Sequence, residues 1–226
     1  MPYTSHASDF EITLDPTAPA TATVLLLHGL GADGWDFVPI VNELALAMPV
    51  RWIFPHAPER AVTVNAGYVM RAWYDILSID GIDRVGDEAG IRASVAAIRR
   101  LIARENERGV RSGRIVLAGF SQGGAMAYSA GLTHPETLAG IIALSAYIPS
   151  PGLVDEERSA ANRQTPIFAA HGSFDEVVPP QLGLAARDRL RADGYALEWH
   201  SYPIPHAVCI EEIEAVGAWL AARLVG

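Results

Sequence analysis

Short apolar runs alternate along the chain with stretches in which apolar residues return every three or four positions. Val24-Leu25-Leu26-Leu27 is too short for a core helix and ends at His28-Gly29, so it predicts a strand buried on both faces. Arg51-Trp52-Ile53-Phe54, halted by Pro55, predicts a second. Arg114 to Ala118, Ala139 to Leu144, Ile167 to Ala170 and Ala196 to Tyr202 read as further strands. Between them, Ile91, Val95, Ile98 and Leu101 or Ile102 form one stripe of an amphipathic helix from Asp87 to Arg108. Asp87 and Glu88 stand at its front and Arg99, Arg100, Arg104 and Arg108 towards its back, complementing the helix dipole at each end, and Gly109 is placed to stop it. Gln122 to His134, Gln181 to Ala192 and Glu211 to Arg223 are also helical. Strand alternating with helix predicts an α/β fold, a mostly parallel central sheet with helices on both faces. The 226 residues suit a single domain, with residues 1–20 as an N-terminal segment placed to supply an edge strand. Ala57 to Val69 and Ser78 to Gly86 lack a clear period and are expected to be loops, with 77–86 bordering a site.

Charge narrows the range of partners. Seventeen basic against 26 acidic residues leave a formal charge of −9, and the densest cations, Arg99, Arg100 and Arg104, are only three. Nucleic-acid binding draws on clustered cations that release counterions, so it is excluded here, and an anionic membrane surface would repel the chain. Cys209 is the only cysteine, which rules out an intrachain disulfide and a cysteine-based metal site. The opening residues lack the basic start and apolar stretch of a signal peptide, and no run approaches the roughly 20 apolar residues of a membrane span. A cytoplasmic protein with no integral membrane segment is the expectation.

Gly119-Phe120-Ser121-Gln122-Gly123 fits G-x-S-x-G, with a predicted strand running into it and a predicted helix leaving it. That is the strand, turn, helix context of a nucleophile elbow, in which side chains two residues either side of the serine would strike backbone. The alternative is a structural turn whose serine caps the helix. A serine nucleophile needs a base in reach and a third group to orient that base. His206, in the rigid Pro203-Ile204-Pro205-His206 loop before the last helix, is the candidate base. Asp175, beyond the strand that ends near His171, precedes it in the chain order Ser, Asp, His. Either could equally be an ordinary loop residue. An oxyanion would be held by the Gln122 backbone N–H and by that of Leu30 in His28-Gly29-Leu30-Gly31. Gly29 to Gly34 also matches the dinucleotide fingerprint G-x-G-x-x-G, but Phe54-Pro55-His56 stands where the acidic ribose ligand belongs, which argues against it. His28, His56 and His171 lack metal-ligand spacing and read as structural, and Cys209 reads as a small buried hydrophobe.

Four stretches together carry a family resemblance: Leu27 to Gly34, Arg71-Ala72-Trp73-Tyr74-Asp75-Ile76, Gly119 to Met126, and His171-Gly172 with Asp175 to Pro179. The chain resembles the carboxylesterase and acyl-protein thioesterase family of α/β-hydrolases. The resemblance implies Ser121 as nucleophile, Asp175 and His206 as its partners, and Leu30 and Gln122 as the oxyanion hole. It also implies an acyl groove beside residues 77–86, with Leu77, Ile79 and Val177 as lining, although each could be ordinary core. The implied substrate is a small ester or thioester, or an acylated protein, cleaved with no metal or organic cofactor. A lysophospholipase and a noncatalytic binding module on the same fold are the rivals, and a homodimer is an open possibility. One departure stands out: the family usually has glycine directly before the catalytic histidine, where this chain has Pro205.

Overall fold

The computed structural model describes residues 3–44 and 46–224. The chain lays down strands β1 (Tyr3–Ala7), β2 (Glu11–Pro16) and β3 (Ala22–Leu27), a short helix α1 (Ile40–Glu43), then β4 (Val50–Pro55). Two small hairpins follow, β5 (Glu59–Val62) with β6 (Tyr68–Arg71), and β7 (Ile76–Asp80) with β8 (Asp83–Gly86). The remainder alternates: α2 (Glu88–Glu107), β9 (Ile115–Phe120), α3 (Gln122–Thr133), β10 (Gly140–Leu144), α4 (Pro151–Glu157), β11 (Ile167–Gly172), α5 (Pro180–Ala192), β12 (Leu197–Tyr202) and α6 (Ile210–Leu224). Eight strands form one sheet in the order β1-β2-β4-β3-β9-β10-β11-β12, and β2 alone runs against the others. Residues 1–20 thus supply two strands: β1 at the edge, and β2 between it and β4.

Strand register explains why the sheet is covered on both faces. Leu25 pairs with Leu117, Leu117 with Ile141 and Ile141 with Ile167, a row that packs beneath α2, α3 and α5. One residue along, Leu26, Ala118, Ile142 and Phe168 form the opposite row, buried against α6 through Val216, Trp219 and Leu220. Because side chains alternate along a strand, an uninterrupted apolar run supplies both rows. Each fully buried aliphatic side chain in them contributes about 1.5–3 kcal/mol. The helix expected from Asp87 starts as its pattern requires: the Asp87 carboxylate accepts the Ala89 and Gly90 amides, and Ile91, Val95, Ile98 and Ile102 are buried.

Two expected loops are in fact folded. Residues 57–69 hold β5 and the turn into β6, and 78–86 belong to the β7–β8 hairpin. Eleven residues, 76 to 86, are enough for two short antiparallel strands once the two-residue turn Gly81-Ile82, with glycine at φ 57° in its first position, reverses the chain. Among the described residues no helix is long and apolar enough to cross a membrane.

On the α6 face Glu212 is buried, and its Oε1 has no hydrogen-bond partner among the described residues. It borders an apolar cavity with Phe120, Val216 and Leu220, and burial pushes its carboxyl up to about 7 from the usual 4.5. The folded state therefore favours the protonated form, so this group's destabilisation grows as pH rises from about 4.5 to 7 and is complete above that. Glu212→Gln is expected to change stability little at pH 4 and to raise it by up to about 3 kcal/mol at pH 8, measured by urea unfolding at the two pH values. A gain of the same size at both would contradict it.

Candidate active site

Three chain segments converge at the carboxyl edge of the parallel strands, where open α/β sheets place their ligands. Ser121 directly follows β9, the loop after β11 carries Asp175, and the loop after β12 carries His206. Ser121 sits at φ 55°, ψ −121°, a conformation costing about 1–3 kcal/mol for a non-glycine residue. The turn is closed tightly enough that a Cβ built on Gly123 would lie 2.1 Å from the Leu27 carbonyl oxygen. One on Gly119 would lie 2.3 Å from the Gly123 backbone. Ser121 itself makes no side-chain cap on α3, so the helix-capping alternative is not what the structure adopts.

Ser121 Oγ lies 3.0 Å from His206 Nε2, and His206 Nδ1 lies 2.6 Å from Asp175 Oδ2. Asp175 is buried, and its other oxygen accepts the Val177 and Val178 amides at 2.9 and 2.8 Å. With Oδ1 so occupied, Oδ2 faces the imidazole as an acceptor and puts the proton on Nδ1. Nε2 is then free to accept from the serine hydroxyl. Pro205 does not carry His206 away from the serine: the loop folds back on β11, with Phe174 N–H donating to Ile204 O and Ala207 N–H to Pro205 O. Gly172 makes that approach possible, since a Cβ there would lie 2.4 Å from both the Ile204 and Pro205 carbonyl oxygens.

Several neighbours that sequence reasoning passed over hold these groups in place. The Phe120 ring packs against the His206 imidazole with centroids 4.7 Å apart. His171 lies behind Asp175, its Nε2 3.4 Å from Oδ2. Burial lowers the pKa of His171, so this is not an ion pair; Nε2–H donates to Val178 O at 2.9 Å. The Gln122 side chain spans to residues 73 and 74: Oε1 accepts the Trp73 N–H at 2.8 Å and Nε2 donates to Tyr74 O at 2.9 Å. Trp73 Nε1 donates to His28 O, Ser94 Oγ to Trp73 O, and Gly31 N–H to Arg71 O. The Arg71 to Ile76 segment is thereby tied to the loop containing Leu30. Gln122→Ala would strand two buried backbone groups, and a stability loss of about 2–4 kcal/mol is expected in urea unfolding. An unchanged midpoint would contradict the clamp.

The Leu30 loop reaches the serine, since a Cβ on Gly29 would touch Ser121 Cβ at 3.4 Å. The N-terminus of α3, with Gln122 as its first residue, points its positive dipole end at the same place. His28 is fully buried; its Nδ1–H donates to Gly29 O and its Nε2 accepts the Ala57 N–H. Burial lowers its pKa to about 4, so it is a neutral structural residue. His56 is structural too, its Nδ1 accepting the Gly34 N–H. Cys209 is half-buried rather than buried, because it precedes α6 at the surface.

Leu77, Ile79 and Val177 are 45, 50 and 61% exposed, which removes the ordinary-core reading for all three. The β7–β8 hairpin reaches the Asp175 loop through Arg84 Nη2, which donates to Val177 O. Ile82, Val85 and Phe174 are exposed on the same two segments, giving the site an apolar margin.

A hydroxyl set on a strained elbow within hydrogen-bond reach of an imidazole, which is itself aligned by a buried carboxylate, is suited to acyl transfer. On this sheet it makes the molecule an α/β hydrolase of the serine type, acting on esters or thioesters. The sequence profile of the Phospholipase/Carboxylesterase family matches residues 9–224, and the chain belongs to that family. Acyl-protein thioesterase 1 of Neurospora crassa is 42% identical over 214 residues, spanning 90% of this chain and 87% of that protein. Acyl-protein thioesterase 1 of Saccharomyces cerevisiae is 33% identical, over 91% and 94% of the two chains. Among solved structures, Arabidopsis thaliana SOBER1 matches with a TM-score of 0.85 at 30% identity, over 90% of this chain and 99% of its own.

Proposed function

We propose that Ser121, His206 and Asp175 act as a catalytic triad that hydrolyses acyl esters and thioesters through a Ser121 acyl-enzyme. The observation that carries this reading is the unbroken hydrogen-bond chain from Ser121 Oγ through the imidazole to Asp175 Oδ2. His206 Nε2 takes the hydroxyl proton as Oγ attacks the acyl carbonyl, and Asp175 stabilises the imidazolium that forms. The Leu30 and Gln122 amides receive the oxyanion, each donor lowering the barrier by about 3–4 kcal/mol. His206 then gives the proton to the departing alcohol or thiol. Water repeats the cycle on the acyl-enzyme and releases the acid.

Leu77, Ile79 and Val177 are the proposed wall for the acyl chain. Their exposure on two segments joined by the Arg84 to Val177 hydrogen bond, one of which carries Asp175, supports this, since exposed apolar side chains are available to cover an apolar substrate. Likeness to the acyl-protein thioesterases makes a thioester-linked acyl group on a protein the substrate class favoured here. In a series of acyl thioesters and p-nitrophenyl esters of increasing length, kcat/KM is expected to rise about two- to fourfold per added methylene while the chain lengthens along this wall. Leu77→Asp should flatten the long-chain end and leave acetyl esters alone. A flat series, or one that peaks at acetyl, would overturn the acyl wall.

A further inference from the structure

The chain has no lysine; its 17 basic residues are all arginines. Four of them, Arg60, Arg71, Arg100 and Arg104, line one open cleft of about 650 Å³ between α2, the β4–β5 connection and the turn after β1. Arg104 is ion-paired through Nη2, which donates to both oxygens of Glu11 at 2.7 and 2.8 Å. The other three have no carboxylate partner among the described residues. Arg71 makes a single side-chain hydrogen bond, from Nη1 to the Ala57 carbonyl. Arg60 Nε and Arg104 Nε are buried without any hydrogen-bond partner among the described residues. The nearby carboxylates do not make up the deficit. Asp87, beside Arg60 where both approach Gly90, spends its oxygens on the Ala89 and Gly90 amides, and Glu11 is taken by Arg104. Asp9 is the remaining acid on the cleft wall and is exposed.

Converging guanidinium groups repel one another, and with three of the four lacking a carboxylate partner among the described residues, an added anion in the cleft would offset that repulsion. It is also notable in a chain with a net charge of −9. The planar guanidinium fork matches a carboxylate or phosphate with two parallel hydrogen bonds. The cleft also has an apolar lining: Ala93, Ala97 and Leu101, spaced four apart on α2, and the buried Trp73. The volume lies within the range of small-molecule sites, about 300–1,000 Å³. None of Ser121, Asp175 or His206 borders this cleft. We propose that it is a second, noncatalytic binding site for an organic oxyanion, a carboxylate or phosphate head carried on a small apolar body.

Titration calorimetry of the protein with phenyl phosphate and with benzoate tests this, with phenol as the uncharged control. One-to-one saturable binding of at least one of the two anions is expected, with phenol at least tenfold weaker; the tighter of the two identifies the head group. The Arg60→Gln/Arg100→Gln double variant should weaken binding at least tenfold while leaving ester turnover unchanged and the melting temperature no lower. Ala97→Phe, which fills the apolar wall and keeps every charge, should weaken it as well. Absence of saturable binding by both anions at millimolar concentration would overturn the proposal. So would phenol binding as well as either anion, or affinity unaltered in the double variant. None of these results depends on whether Ser121 is the nucleophile.

Discussion

Asp175→Asn is expected to lower kcat by about 10⁴-fold with little change in KM. The size of the effect follows from what surrounds the carboxylate. Oδ1 faces two N–H donors, those of Val177 and Val178, so an asparagine would place its carbonyl oxygen there and its NH₂ towards His206. A donor facing Nδ1 makes that nitrogen an acceptor and moves the imidazole proton to Nε2, 3.0 Å from Ser121 Oγ. The base would then meet the hydroxyl with a proton already in place. Because side-chain volume is unchanged and the two amides keep their acceptor, stability should be nearly preserved. Pre-steady-state and steady-state turnover of a p-nitrophenyl ester measures the loss; activity within tenfold of the parent protein would contradict the role given to Asp175.

Gly123→Ala is expected to be the most damaging glycine-to-alanine change among the described residues. The added carbon would lie 2.1 Å from Leu27 O and 2.6 Å from His28 O, both backbone atoms that cannot swing aside as a side-chain tip can. Relief requires α3 to move off the β3 edge, and α3 is buried along its whole length. Overpacking of a close-fitted core costs about 1–3 kcal/mol where neighbours can adjust, so a loss of at least about 3 kcal/mol is expected at this site. Denaturant unfolding reads the loss, and the folded fraction should turn over poorly because the elbow carrying Ser121 is displaced. A variant with unchanged midpoint and turnover would show that the elbow is looser than its geometry implies.

Local pattern carries a signal only when the cause is local. β3, β9, β10 and β11 were legible because strands covered on both faces have to be apolar runs, and α2 because one buried stripe imposes its period. The hairpins were not, since most of their apolar residues, Tyr68, Val69, Leu77, Ile79 and Val85, are exposed, and only Val62 and Ile76 turn inwards, too few to set a period; Gly81 was the available cue. α4 is a seven-residue helix of about two turns started by Pro151, too brief for a period to emerge. Ser121, Asp175 and His206 were legible because each lies just beyond a recognisable strand, in an order the chemistry permits. The Gln122 clamp, the Phe120 ring against His206 and His171 behind Asp175 were not, as they depend on how the elbow, the loops after β11 and β12 and the Trp73 segment approach one another. Four arginines around one cleft were equally invisible, because Arg60 and Arg71 are brought to α2 only by the β5–β6 hairpin.

The central claim is that Ser121 is the atom that takes the acyl group. Peptide-level mass spectrometry of the protein after reaction with a fluorophosphonate tests it most directly. One adduct is predicted, on Ser121, forming in step with the loss of ester turnover, and Ser121→Ala should take no label and lose about 10⁵–10⁶-fold in kcat while remaining folded. An adduct on another residue that tracks inactivation, or a folded Ser121→Ala protein that keeps its turnover, would contradict the account.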